Sequence, residues 1–417
     1  MTQRYYKVAQ QVFSVGFDTA IESSLAELLK AYEPFEVEAT EVLFSLDIKT
    51  GTMEEPSSFT LEYRQNDEGQ VITSGHQDDG SKVFGYEFGK ERALMLCSAD
   101  YRQAELQMGE KLCKAAIDTS LMLLFALTTA NKNTLLFHSS TTVWQGKAYM
   151  FLGVSGTGKS THSGLWLKHI KGTHLLNDDN PVVRIDAEGK PIVCGSPWSG
   201  KTPCYRNEEY PLGAIVSLEQ APKNKIKKSS VLEAYAVISS SISSKRWEKD
   251  LANGINSSID AILKKRPVFH LKCLPDKEAA LVCWSTIAKY SYIDDVKSII
   301  DEDHPVILPA KGNSMLPFIH SGDNVELCPI HTELKRGDIV LAKTQEGHPV
   351  IHRIVKIDED KITLEGDGNL GFQEHCLRQD VIAQVHRDDK HQWQLWMTLR
   401  PIRRILLKLY KITHGIK

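Results

Sequence analysis

The sequence lacks any apolar run long enough to cross a bilayer. The longest, Leu121 to Leu127, falls far short of the ~20 residues a spanning helix needs. The opening MTQRYYKVAQQVFSVGF has no apolar signal core, so the expected location is cytoplasmic. Paired cysteines are missing too. Cys97, Cys113, Cys194, Cys204, Cys273, Cys283, Cys328 and Cys376 lie far apart, with no CxxC or CxxxxC spacing. That argues against a zinc site and a disulfide framework and favours reduced thiols. Charge of one sign is also lacking: 50 Lys and Arg nearly balance 53 Asp and Glu, so no global field points to a nucleic-acid partner. There is no internal repeat and no low-complexity tract.

What is present is the composition of a soluble globular protein, 41% hydrophobic and 25% charged, in a 417-residue chain that implies two or three domains. Alternating patterns such as EVEATEVLFSLDI run from Tyr5 to about Ile72 and predict strands and hairpins. Helical spacing follows over Gly109 to Asn131. Strands are expected at VVRID, PIVCGS and GAIVSLEQ, and helices around Val231 to Ser244 and Asn253 to Lys265. PVFHLKCLPDKEAALVCWSTI reads as a last strand and a closing helix. The polar stretch YSYIDDVKSIIDED reads as a linker, with a boundary near residue 300. Beyond it, short strands broken by Gly-Asp turns give an all-β texture. The fold class is α+β multidomain: an α+β region over 1–130, an α/β nucleotide domain over 131–295, a β domain over 303–390 and a basic amphipathic helix over 394–417.

FLGVSGTGKSTHSG contains the pattern GxxxxGKS between a strand-like AYMFL and a helix-like STHSGLWLKHI. Gly153, Ser155, Gly156, Thr157 and Gly158 would turn backbone N–H groups toward phosphate oxygens. Lys159 would reach the β/γ phosphates, Ser160 would hold Mg²⁺, and Thr161 completes the set. Further on, LLNDDNPVV ends an apolar strand in Asp178 and Asp179. Paired carboxylates beside a phosphate loop can divide metal binding from proton abstraction.

The order of His138, the loop, the DD pair and GSPWSGK resembles the HPr kinase/phosphorylase-like family, whose nucleotide fold is shared with phosphoenolpyruvate carboxykinase. The resemblance covers roughly residues 130 to 290. It implies ATP and Mg²⁺ as cofactors, His138 as a catalytic residue, Asp178 as general base and Asp179 as metal ligand, with the two aspartates interchangeable at this stage. Lys201 and Arg206 become candidate phosphate or substrate contacts. The signature LEIRGLG of bacterial HPr kinases is missing, so HPr itself is not the expected substrate.

A second set of motifs lies in the tail. AKGNSMLPFIHSGDNVEL places Ser314 in a Gly/Asn/Pro turn, and a serine nucleophile needs a base within hydrogen-bond reach. PVIHRIV supplies His352, and EGDGN supplies Asp367 to hold the imidazole tautomer. The series GNSMLP, SGD, RGDIV, VIHRIV, GDGN resembles the signal peptidase family, which shares its β fold with LexA-type self-cleaving repressors, over about residues 304 to 387. The commoner bacterial signal peptidases carry lysine where this chain has His352, so the resemblance is to the Ser-His branch. It implies Ser314 as nucleophile, His352 as base and Asp367 as orienting acid, with Lys335 and Lys343 as alternative bases.

The closing WMTLRPIRRILLKLYKITHGIK puts Trp396, Leu399, Ile402, Leu406 and Leu409 on one helical face, opposite Arg400, Arg403, Arg404, Lys408 and Lys411. Such a helix either lies on an anionic membrane or packs on the chain's own domains. The combined expectation is a bifunctional enzyme, a signal-peptidase-like serine endopeptidase joined to an ATP-dependent Ser/Thr kinase, acting on a peptide such as a small precursor. The alternatives are a peptidase whose nucleotide domain only senses ATP, and a non-catalytic peptide-binding adaptor.

Overall fold

The computed structural model describes residues 2–414 apart from 68, 201, 347, 370, 388, 400 and 401. The chain divides into two compact units, Met1–Trp284 and Ser285–Lys417.

The first unit holds two nine-stranded sheets. One is built wholly from the first 108 residues and runs from Glu36–Val37 at one edge to Thr60–Asp67 at the other. In the second, the long central strand Glu209–Gln220 is flanked by parallel partners Lys147–Leu152 and Val268–Cys273. Beyond Lys147–Leu152 lies Ser139–Trp144, antiparallel to it, and then His174–Asp179, antiparallel in turn to Ser139–Trp144. The central strands are buried on both faces and read as continuous apolar runs, AYMFL and LGAIVSL.

Residues 1–130 do not form a core of their own. The helix Lys114–Thr129 and Trp198 pack into one apolar cluster that takes residues from both sheets. Trp198 stacks on Phe13, meets Phe125 and Tyr32, and donates its indole N–H to the Tyr32 hydroxyl at 2.9 Å. The expected boundary at residue 130 therefore has no counterpart in the packing.

The expected linker is also replaced. YSYIDDVKSIIDED lies almost wholly within the 25-residue helix Lys277–Asp301. Its polar look conceals Ile293, Val296 and Ile300 at helical spacing, and all three are buried in the core of the second unit.

That second unit is a seven-stranded sheet ordered Val306–Pro309, Asn324–Cys328, Val381–Val385, Ile339–Lys343, Pro349–Asp358, Lys361–Glu365, Gln373–Leu377. Its core lies on both faces. Ile339 and Leu341 face one cluster, with Ile293, Val296, Met315 and Ile319, while Val340 and Ala342 face the other, with Ile354, Leu364 and Cys376.

The C-terminal helix expected over 394–417 is two helices, Lys390–Thr398 and Arg403–Thr413. The break divides the predicted faces. Trp396, Leu399 and Leu406 are half-buried, whereas Ile402 and Leu409 are exposed. Arg403, expected on the solvent face, is buried near the Glu365 carboxylate, and Arg400 lies outside the described residues. Among the described residues no helix is long and apolar enough to cross a membrane.

Candidate functional site

In the second unit, Ser314 sits in the turn-rich segment between Val306–Pro309 and Asn324–Cys328, and its neighbours fix it in place. Met315 and Leu316 are buried, which leaves the half-buried Ser314 at the surface end of an anchored loop. His352 lies mid-strand in Pro349–Asp358, on the face that carries Val350 and Ile354. The Ser314 Oγ and His352 Nε2 are 3.0 Å apart, and the imidazole is 5% exposed.

The segment EGDGN closes against this pair. The Gly368 N–H donates to the Ser314 carbonyl at 2.8 Å. A Cβ on Gly366 would stand 2.5 Å from that same carbonyl oxygen and 3.0 Å from His352 Nε2. Glycine is therefore required here by close approach of one backbone to another.

Asp367 does not orient the imidazole. Its carboxylate takes three hydrogen bonds from Arg353, from Nε at 3.0 and 3.1 Å and from Nη2 at 2.8 Å. Arg353 follows His352 directly, so its side chain leaves the opposite face of the strand and carries Asp367 with it. The guanidinium also binds Asp389 at 2.9 and 3.1 Å and the Gly337 carbonyl at 2.9 Å, between the rings of Phe318 and Trp393. Burial alone would lower the Arg353 pKa, but the two carboxylates outweigh it and hold the value above that of free arginine. A buried arginine with this many partners is a structural tie.

The carboxylate that faces the base is Glu374. Its Oε2 lies 2.5 Å from His352 Nδ1. Glu374 belongs to Gln373–Leu377, separated from the His352 strand by Lys361–Glu365. It shares a face with the buried Cys376, and that period-two spacing in QEHCL is the one sequence signal for it. With Nδ1–H donated to Glu374, Nε2 is free to accept the Ser314 hydroxyl proton. Neither alternative lysine is placed as a base. Lys335 is exposed in a turn, and the Lys343 amine is bound to Asp294 at 2.9 Å.

The first unit brings a separate set of residues together. Gly153 through Gly158 connect the strand Lys147–Leu152 to the helix Lys159–His169, with Gly158 at φ 102°, a left-handed geometry that suits glycine at the helix start. The Lys159 amine folds back onto the Gly153 and Val154 carbonyls at 3.0 and 3.5 Å. Burial lowers its pKa, against the pull of Asp179 and Asp178. Ser160 and Thr161 are exposed on the first turn, while Ser155 and Gly156 are exposed in the loop.

The aspartates end the strand His174–Asp179, paired to Ser140 and Ser139. Asp178 is buried, and its Oδ1 has no hydrogen-bond partner among the described residues. Asp179 lies 3.2 Å from His138 Nδ1. Burial lowers the His138 pKa, Asp179 opposes that, and Lys159 adds to it. His138, the loop residues Gly153 to Thr157 and Gln220 line a cleft of about 660 Å³. Arg206 is paired with Glu208 at 3.0 Å, and Lys201 lies outside the described residues. The unpartnered Asp178 oxygen, the lysine bound to loop carbonyls and the exposed Ser160 fit a magnesium nucleotide.

No curated protein matches the chain. Residues 282–381, which include Ser314, His352, Asp367 and Glu374, match the family described as Peptidase S24-like, and the match supports a serine-peptidase-type function for this part of the chain.

Proposed function

We propose that the second unit is a serine endopeptidase of the signal-peptidase and LexA-like kind, with Ser314 as nucleophile, His352 as general base and Glu374 as the carboxylate that orients it. The observation that carries this reading is the continuous line from Ser314 Oγ through the imidazole to Glu374, at 3.0 and 2.5 Å.

In the first half-reaction Ser314 Oγ bonds to the scissile carbonyl carbon as its proton passes to His352 Nε2. Glu374 stabilises the imidazolium by accepting its Nδ1–H. Collapse of the tetrahedral intermediate breaks the C–N bond, and the imidazolium gives its proton to the leaving amine. Water then adds to the acyl-serine while His352 takes its proton, and the peptide carboxylate leaves as Ser314 recovers its hydrogen. A backbone N–H of the Ser314 loop is the proposed oxyanion donor.

The test is a peptide library incubated with the full chain and read by mass spectrometry for new termini. Cleavage by the wild type that vanishes in Ser314→Ala supports the proposal. Equal cleavage by the two proteins contradicts it.

A second reading concerns the first unit, and the unpartnered Oδ1 of Asp178 favours it. We propose that this unit transfers phosphate to a hydroxyl, in the manner of HPr-kinase-like enzymes. ATP would supply the phosphoryl group and Mg²⁺ would shield its charge. Gly158, Lys159 and the first helical turn would hold the phosphates, Ser160 and Asp179 the metal, and Asp178 would accept the hydroxyl proton, with His138 orienting Asp179. A chain that binds ATP and changes its cleavage rate with no phosphopeptide product would instead be an ATP-gated peptidase. One that does neither, and cleaves nothing, would be a peptide-binding adaptor.

A further inference from the structure

The helix Arg403–Thr413 is held to the second unit by one face only. Arg403 and Leu407 are buried, Leu406 and Tyr410 are half-buried, and the Tyr410 hydroxyl bonds His320 Nε2 at 2.6 Å. The opposite side presents Ile402 (44% exposed), Ile405 (61%), Leu409 (54%) and Ile412 (67%), at intervals that align on one stripe of an α-helix. Arg404, Lys408 and Lys411 run along an edge of that stripe, with Arg404 and Lys408 exposed. No acidic residue occurs anywhere from 390 to 417. A stripe of aliphatic side chains beside cations, in a segment with no acidic residue of its own, matches the interface of an acidic bilayer, whose acyl boundary accepts the stripe and whose headgroups accept the charges.

We infer that Arg403–Thr413 is an interfacial helix that seats the second unit on an anionic lipid surface. The inference does not depend on the peptidase reading. Where both hold, the helix also sets where cleavage occurs, because its neighbours reach the nucleophile loop. Tyr410 binds His320, and Trp396 of the preceding helix meets Phe318 edge-on. The anchored side of the pair keeps Ser314 at a fixed position relative to the membrane-facing stripe.

Sedimentation of the full chain with vesicles of phosphatidylcholine alone, and of phosphatidylcholine mixed with phosphatidylglycerol, tests this. Recovery on the mixed vesicles should exceed that on neutral ones by at least about tenfold at low salt and should fall in high salt. Ile405→Asp with Leu409→Asp should abolish it, and Arg404→Glu with Lys408→Glu should reduce it to the neutral level. All four positions are exposed, so the fold and its circular dichroism should be unchanged. Equal recovery on both vesicles, or no recovery on either, overturns the inference. So does a chain that stays in the supernatant and runs as a dimer split by the Asp pair, because the stripe would then face a second copy.

Discussion

His352 Nδ1 lies 2.5 Å from Glu374 Oε2, so the carboxylate facing the base comes from a strand two places away in the sheet and not from the Gly-Asp-Gly turn beside it. Asp367, the acidic residue that the linear motif offers to the base, is bound to Arg353. In the proposed site the two carboxylates therefore have separable jobs, one of orientation and one of structure.

Gly366→Ala should damage the site through geometry alone. The new methyl would meet the Ser314 carbonyl at 2.5 Å and His352 Nε2 at 3.0 Å, and the stiff loop and strand give it little room. Cleavage should fall on the order of 100-fold, since small displacements of reacting groups cost that much. Peptide assays with the variant check this, and a wild-type rate would mean that the Ser314 loop sits elsewhere in solution.

Lys159→Ala should remove ATP binding without changing cleavage of a peptide that needs no phosphate. Asp178→Asn should keep ATP binding and lose phosphopeptide formation, because the amide cannot take a proton from a hydroxyl. Nucleotide titration and mass spectrometry separate the two effects. Retained phosphorylation in Asp178→Asn would exclude Asp178 as the base.

The buried His162 should make the first unit acid-sensitive. Its Nε2 accepts the Trp166 indole N–H at 3.2 Å, and burial lowers its pKa from 6.5 to about 4. Because the folded value is depressed, the unfolded chain binds the proton first. The stabilisation is complete above 6.5 and is lost as pH falls toward about 4, amounting to about 3 kcal/mol. Urea midpoints across that window should fall with pH in the wild type and fall less in His162→Phe. Parallel slopes for the two proteins would contradict it.

The sequence made legible what is local. The strand, glycine loop and helix around Lys159 follow each other in the chain, and in GNSMLP and VIHRIV the buried apolar neighbours Met315, Leu316 and Ile354 fix the direction of Ser314 and His352. Ser314 and His352 consequently come within hydrogen-bond reach. Glu374 was illegible because its contact is made across two strand pairings, and nothing in GFQEHCL marks which acidic residue faces inward except its alternation with Cys376. Asp367 misleads for a related reason: Arg353, the residue next to the base, points the other way and captures it. The linker reading over residues 290–303 fails because three buried aliphatic residues suffice to dock a helix whose remaining positions are polar. In the tail, a single helical wheel over 394–417 hides the break between Thr398 and Arg403, which turns Arg403 inward and Ile405 outward.

The most direct test of the Ser314–His352–Glu374 assignment is a comparison of cleavage rates per folded molecule for Glu374→Gln and Asp367→Asn, on one peptide that the wild type cuts. Glu374→Gln should lose roughly 10³–10⁴-fold in kcat, with little change in KM and an unaltered melting temperature, because the imidazole would lose its orienting anion. Asp367→Asn should melt earlier by the equivalent of about 3 kcal/mol, as the buried Arg353 loses one of its two carboxylates, yet retain kcat within about tenfold when folded. An Asp367→Asn protein as inactive as Ser314→Ala, beside a Glu374→Gln protein near the wild-type rate, would contradict the assignment.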